Sequence, residues 1–268
     1  MPRAENPWDE VGRRLQDGPG RSSIFDVTAQ ACESILNAVD PRGGARALEI
    51  GCGRGDFLAL AAARDIEIVG LDLAPEMVRV LKSRYPRASA IVGDATALPF
   101  ADEAFDLVVC SFTLGFVEDR RRAIAEAWRV LAPGGRYALT TWNLIPGAYF
   151  AFVEEAVRRH GERGEDAFVP SNPGTRYYED LLLGAGFREV RVATLGLALH
   201  FARATDVLEV VRTSGKARAL VESQSDDARQ RIEAELVSRM ERVGDAEFHM
   251  EMPAFLVQGT KRSSRDAT

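Results

Sequence analysis

Cysteine and histidine are scarce in this 268-residue chain, with three of each. Cys32, Cys52 and Cys110 lie far apart and form no Cys-x-x-Cys pair, which argues against both a cysteine-built zinc site and a disulfide framework. So sparse and odd a set fits a reducing cytoplasm, and no metal is expected. Positive charge is also short. Thirty-four Lys and Arg stand against 40 Asp and Glu, a net charge of −6, whereas a protein that grips a nucleic-acid backbone carries a strong basic excess. Nucleic acid is therefore disfavoured as a partner. Nowhere does the chain hold a run of about 18 apolar residues, so no membrane span is expected. The start, Met1-Pro2-Arg3-Ala4-Glu5-Asn6-Pro7-Trp8, lacks the apolar centre of a signal peptide, and the expected location is the cytoplasm. Internal repeats and low-complexity tracts are absent too.

What is present is an alternation of strands and helices. Helices are expected at 6–17 and 26–39, the second with Ile24, Val27, Ala31, Ile35 and Val39 at helical spacing. Strands follow at 46–50, 67–72, 90–93, 105–111 and 136–142, separated by helices at 56–64, 74–84 and 120–131. The nearly unbroken apolar run Phe105 to Ser111 suits a parallel strand buried on both faces. This order predicts an α/β fold with a doubly wound, mainly parallel sheet, whose strand C-termini share one ligand-binding edge. Past Trp142 the pattern loosens. Helices are expected at 146–160, 178–184, 205–212 and 226–242, with a sixth strand at 189–195 and a seventh within 248–259. The whole reads as one domain: a core of about 40–195 plus a final strand at 248–260, with N-terminal helices 6–39 and the insertion 196–247 as a substrate cap.

The most informative segment is Leu48-Glu49-Ile50-Gly51-Cys52-Gly53-Arg54-Gly55. It reads as a buried strand, an acidic residue near its end, a glycine-rich turn and a helix start. The spacing Gly-x-Gly-x-Gly differs from the Gly-x-Gly-x-x-Gly of dinucleotide folds, which points to an adenosine ligand without a pyrophosphate. Asp72 ends the second strand 23 positions after Glu49, where a carboxylate can accept both ribose hydroxyls. Its competing role is to cap the following helix.

Two more segments complete the series: Val92-Gly93-Asp94-Ala95-Thr96-Ala97-Leu98-Pro99-Phe100, and Phe105 to Phe112 with the later Leu131-Ala132-Pro133-Gly134-Gly135. Over Arg46 to Trp142 the chain resembles the class I S-adenosylmethionine-dependent methyltransferases, in particular the small-molecule group that includes the quinone-biosynthesis enzymes. That resemblance implies a seven-stranded Rossmann-like sheet and S-adenosylmethionine as cofactor, with S-adenosylhomocysteine as product. It places Gly51, Cys52 and Gly53 under the cofactor and Glu49 at the methionyl ammonium. Asp94 would accept from the adenine amine, with the Ala95 amide beside it, and Ser111 and Phe112 would face the methionyl part. Leu73 and Met77 stand where they can pack on the base or ribose, with ordinary core packing as the alternative.

The same stretch excludes neighbouring chemistries. Cys110-Ser111-Phe112-Thr113 stands where exocyclic-amine methylases carry Asn/Asp-Pro-Pro-Tyr. Cys110 follows Val108-Val109 rather than a proline, which favours a buried inert thiol over a nucleophile. No catalytic residue is legible; the weak candidates are Trp142 and His200 as pocket contacts. His160 and His249 are the other histidines, and Tyr149, Tyr177 and Tyr178 the other aromatic groups able to line an acceptor pocket. The expected partner is a small-molecule acceptor, methylated at O, N or C by a monomer or homodimer. A basic cleft would instead favour an RNA or protein substrate, and degraded glycines a non-catalytic binding module; the glycines are intact.

Overall fold

The computed structural model describes residues 6–16, 23–143, 149–162, 174–242 and 248–262. Two compact units emerge. One comprises Thr28–Trp142, Pro173–Leu195 and Ala254–Thr268, in their described parts, and carries the main sheet. The other comprises the described parts of Met1–Val27, Asn143–Asn172 and Gly196–Pro253 and is mostly helical.

The sheet unit holds seven strands in the order β3-β2-β1-β4-β5-β9-β6. They are β1 (Arg46–Ile50), β2 (Glu67–Asp72), β3 (Ser89–Val92), β4 (Phe105–Ser111), β5 (Leu131–Trp142), β6 (Phe187–Leu195) and β9 (Ala254–Lys261). The first five pair in parallel, while β9 runs antiparallel to both β5 and β6. Chain order reverses between β1 and β4, so the ligand crevice of an open sheet falls at their carboxyl ends. Helices α3 (Asp56–Ala63), α4 (Pro75–Arg84), α5 (Arg120–Val130) and α7 (Gly174–Gly184) belong to this unit, with most of α2 (Ile24–Val39). Helix α4 starts on Pro75, whose fixed φ suits a first turn. Helix α5 starts on Asp119, whose carboxylate accepts from the Arg122 amide at 2.9 Å. The sheet core is apolar: Leu48, Val108, Leu139, Ile124 and Phe187 are fully buried.

The helical unit contains α1 (Pro7–Gln16), α6 (Tyr149–His160), α8 (Val207–Thr213), α9 (Gly215–Glu222) and α10 (Asp226–Glu241). A two-stranded antiparallel sheet joins β7 (Ala198–Phe201) to β8 (Phe248–Glu251). Ile232, Leu236 and Met240 bury one stripe of α10, and Ser225 caps it by accepting from the Ala228 amide.

Several elements differ from expectation, among them helix α7, which starts at Gly174, and strand β6, which starts at Phe187; three differences have identifiable reasons. The seventh strand divides. Pro253 has no N–H to give a ladder, so β8 stops short of it, pairs with β7, and leaves β9 to join the main sheet. Strand β5 begins at Leu131, which pairs with Phe105 before a register shift at the Pro133-Gly134-Gly135 turn, and α5 ends one residue sooner. Helix α9 and strand β7 were not expected. A glycine opens α9, and β7 has only four residues, too few for a periodic signal.

Candidate active site

The glycine turn is shaped by what it touches. Gly51 has φ +72, and a Cβ there would sit 2.0 Å from the Thr113 Oγ1 atom. Only glycine allows both the left-handed backbone and that approach. Its amide and that of Cys52 donate to the Leu71 carbonyl, at 2.7 and 3.1 Å, so the turn is tied to the end of β2. Gly55, at φ +86, opens α3 with a Cβ position 2.8 Å from Leu81 of α4. The Cys52 side chain is buried and packs at Gly70, where a Cβ would fall 2.7 Å from the sulfur. Whatever Cys52 offers a ligand therefore comes from its backbone.

Asp72 uses both carboxylate oxygens on main-chain donors. Oδ2 accepts from the Gly53 amide at 2.9 Å and Oδ1 from the Ala74 amide at 3.0 Å. Ala74 itself is the N-cap of α4, so Asp72 braces the turn before the helix rather than capping it by its own position.

Glu49 is 3 % exposed, and its Oε2 atom has no hydrogen-bond partner among the described residues. Burial pushes its carboxyl well above the ordinary value, and the Asp56 and Asp72 carboxylates push the same way, against a hydrogen bond from the Leu58 backbone. Burying an orphaned carboxylate is costly, and a cation is the natural compensation. Asp56 is already engaged by Arg54 at 2.5 Å and Arg84 at 3.2 Å. A ligand that carries an ammonium and ribose hydroxyls fits this set: the ammonium against Glu49 and the hydroxyls against Asp72.

The ends of β4 and β5 supply the far wall. Phe112 has φ +50, a region unusual for a bulky side chain and typically costing about 1–3 kcal/mol. Its amide is held by the Thr140 carbonyl at 3.1 Å and hydroxyl at 3.0 Å, and its ring stacks on Trp142 with centroids 4.2 Å apart. The Ser111 and Thr140 hydroxyls are 3.0 Å apart. The Thr113 hydroxyl donates to the Ser111 carbonyl at 2.9 Å and the Gly51 carbonyl at 3.4 Å, joining β4 to the glycine turn. Thr113 and Thr140 carry no signal in the sequence, because hydroxyls acting on a backbone 62 or 28 positions away follow no spacing rule.

The structure thus brings Glu49, Gly51, Cys52, Gly53, Asp72, Ser111, Phe112 and Trp142 to the carboxyl ends of β1, β2, β4 and β5, and Asp94 and Ala95 to the end of β3. Leu73 is 46 % exposed beside Asp72, whereas Met77 is 1 % exposed and belongs to the core. Tyr178 is also core, with its hydroxyl 3.2 Å from that of Thr141, and Tyr177 stands edge-on against it. His200 is exposed on β7 in the helical unit, in register with His249 on β8. His160 meets Glu235 at 3.4 Å in that unit. The side chains of Tyr149 and His249 lie outside the described residues. Cys110 is buried, its thiol pushed up to about 12 chiefly by burial, which leaves it inert. No cluster of ligating side chains fit for a metal occurs among the described residues.

A family of known proteins, described as methyltransferase domain, matches residues 48–139. A malonyl-acyl-carrier-protein O-methyltransferase of Methylococcus capsulatus is 35% identical over 180 residues, 65% of this chain and 63% of that one. A demethylmenaquinone methyltransferase of Paenarthrobacter aurescens is 29% identical over 74% of this chain and 87% of its own. An uncharacterized methyltransferase-like protein of Schizosaccharomyces pombe is 30% identical over 70% of each chain. Among solved structures, the YcgJ protein of Bacillus subtilis shares the fold with a TM-score of 0.59 at 19% identity, covering 88% of this chain and 99% of that one. The sheet order, the glycine turn and its flanking acids define a nucleoside-binding α/β protein. The chain belongs to the S-adenosylmethionine-dependent methyltransferase family. It spans 63% of the length of the Methylococcus relative, so the two proteins match in part only.

Proposed function

We propose that the protein transfers a methyl group from S-adenosylmethionine to an oxygen, nitrogen or carbon atom of a small organic molecule. The observation that carries this reading is the buried Glu49 oxygen without a partner beside a glycine turn that Asp72 braces. A cationic amino-acid nucleoside satisfies that carboxylate, and few other nucleosides do. When bound, the cofactor supplies an already activated sulfonium methyl for in-line displacement. The residues have the tasks of binding and alignment: Glu49 takes the ammonium, Asp72 the ribose hydroxyls and Asp94 the adenine amine. Gly51, Cys52 and Gly53 lie along the nucleoside, and Ser111 and Phe112 along the methionyl end. Holding a nucleophile about 3 Å from the methyl, in line with the bond that breaks, is enough to drive such a transfer. The sulfonium charge is cancelled by an anionic acceptor or carried to a neutral one, which keeps it or sheds it with a proton, and the apolar rings of Phe112 and Trp142 favour its departure from sulfur.

A small acceptor is supported by the net charge of −6 and by relatives whose names give demethylmenaquinone or a malonyl carrier as substrate. We assign acceptor choice to segments outside the main sheet, His200 among them, and to Trp142 at the end of β5. No described helix is long and apolar enough to cross a membrane. With three free, buried cysteines, we place the protein in the cytoplasm as a monomer or homodimer. Calorimetry with S-adenosylmethionine, followed by a metabolite screen for S-adenosylhomocysteine release, tests the proposal. Saturable binding and acceptor-dependent release are expected; absence of binding at millimolar cofactor would overturn it.

A further inference from the structure

Arg122, Glu126 and Arg129 follow one another along α5 at spacings of four and three, which places them on one helix face. All three side chains reach the main chain of the segment after β3. The Arg122 Nε donates to the Thr96 carbonyl at 3.1 Å, and the Glu126 Oε2 accepts from the Leu98 amide at 2.9 Å. Arg129 donates to the Leu98 carbonyl at 3.0 Å, the Phe100 carbonyl at 2.8 Å and the Asp102 carboxylate at 2.7 Å. Glu126 and Arg129 also grip each other through two parallel hydrogen bonds of 2.9 and 2.8 Å. Glu126 is 6 % exposed, and its neighbouring guanidinium holds its carboxyl below the usual range. A bidentate pair built on a buried carboxylate is thus spent on the backbone of a segment that has no strand to hold it.

The head of that segment is Asp94. Its Oδ1 accepts from both the amide and the hydroxyl of Thr96, each at 2.8 Å. Thr96 is therefore fixed from two sides, by Asp94 and by Arg122. The Asp94 Oδ2 atom makes no hydrogen bond among the described residues.

We propose that Arg122, Glu126 and Arg129 are positioning residues for Asp94: they fix the direction of its unengaged oxygen and thereby set the selectivity for a 6-aminopurine cofactor. The inference rests on the cofactor reading above, and its test separates the two. Titrations use S-adenosylhomocysteine, S-inosylhomocysteine, which lacks the purine amine, and the 2′-deoxyribose analogue of S-adenosylhomocysteine. The wild type should prefer the adenosyl over the inosyl compound by about tenfold or more, the effect of one hydrogen bond to a charged group. Glu126→Gln and Arg129→Lys should each bring that preference down to about threefold or less, while the preference for ribose over deoxyribose stays at the wild-type level. Arg122→Ala, at a side chain 59 % exposed, keeps the fold and should lose about half of the adenine preference on a logarithmic scale. In an Asp94→Ala background the same α5 changes should leave the ratio unmoved. An unchanged adenine preference in the α5 variants, or equal loss of both preferences, overturns the positioning role while the cofactor reading stands. A wild type that binds S-adenosylhomocysteine in no measurable amount overturns the cofactor reading itself.

Discussion

The two units employ their polar side chains differently. Around the site in the sheet unit they hold the main chain: Asp72 the Gly53 amide, Thr113 the Gly51 carbonyl, Thr140 the Phe112 amide and Glu126 the Leu98 amide. In the helical unit some do the same, Gln224 for the Glu162 amide and Asp206 for the Arg203 amide, but the helices are also joined by side chains that pair with one another. Arg239 lies between Glu155 and Glu235 at 2.8 and 2.6 Å, Arg159 pairs with the same two acids, and Arg14 spans Glu10 and Glu222. A side chain bonded to a backbone atom fixes a loop to within a fraction of an ångström, as a nucleoside site requires. Ion pairs between helices contribute about 0–1 kcal/mol each when exposed and tolerate exchange. The first unit is built for one ligand.

The sharpest way to break that contrast is to add one carbon to a glycine in each unit. Gly51→Ala places Cβ 2.0 Å from Thr113 and forces an L residue to φ +72. Thermal or urea unfolding should show a loss of about 3–5 kcal/mol, among the largest for any single change. In Gly215→Ala, the new Cβ meets the edge of the Trp8 ring at 3.0 Å, and the ring can shift. Helix propensity gains up to about 1 kcal/mol from the exchange, so the net change should stay within about 1 kcal/mol of zero. Equal losses at both positions would show that the glycine turn is no more constrained than the helical unit.

Asp72→Ala comes next. It removes the acceptor of two amides and the expected ribose clasp, and should weaken S-adenosylmethionine binding by about 1–3 kcal/mol in calorimetry. Wild-type affinity in this variant would refute the ribose assignment. Glu49→Gln should move two properties in opposite directions. The carboxyl is raised in the folded state, so the free protein loses stability as pH climbs from about 4.5 through the folded value. A neutral amide abolishes that loss, and the variant should be more stable at pH 7 by roughly 1–2 kcal/mol. Its affinity for the cationic cofactor should nevertheless fall about tenfold, through loss of a charged hydrogen bond. A variant that is both less stable and equally avid would remove Glu49 from the site.

Much of the sheet was legible. Strands 46–50, 67–72 and 105–111 match expectation residue for residue, because the apolar runs there give way abruptly to glycine, aspartate or serine. Glu49, Asp72 and Asp94 stand out for the same reason: each is an acid where a buried strand ends or has just ended. The partners that complete the arrangement are silent in sequence. Thr140 reaches Phe112 across 28 positions and Glu126 reaches Leu98 across the same distance, and neither leaves a periodic trace. The left-handed backbone of Phe112 was equally hidden, since nothing in an aromatic side chain announces a positive φ. In the helical unit, mixed polar sequences conceal α9, and a single proline decides that 248–261 becomes two strands.

The smallest effect on the cofactor is expected from Arg239→Met, which keeps much of the stem's packing and removes the charge together with its hydrogen bonds. Arg239 stands over the Phe152 ring at 5.3 Å and joins α10 to α6 through Glu155 and Glu235. Its guanidinium heads the causes that hold both carboxyls below their ordinary value. Acids lowered in this way stabilise the fold above their unfolded value of about 4.5, and that stabilisation disappears as pH falls through the folded value. At pH 7 the variant should melt about 2–4 °C below the wild type, on the usual scale for a chain of this size. The gap should close as pH falls from about 4.5 through the lowered folded values, where the acids become protonated in both proteins. S-adenosylmethionine affinity should equal that of the wild type at each pH, because among the described residues no main-chain atom of the cofactor loops is held by this cluster. A loss of affinity in step with the loss of stability would show that the helical unit is as strictly built for the cofactor as the sheet.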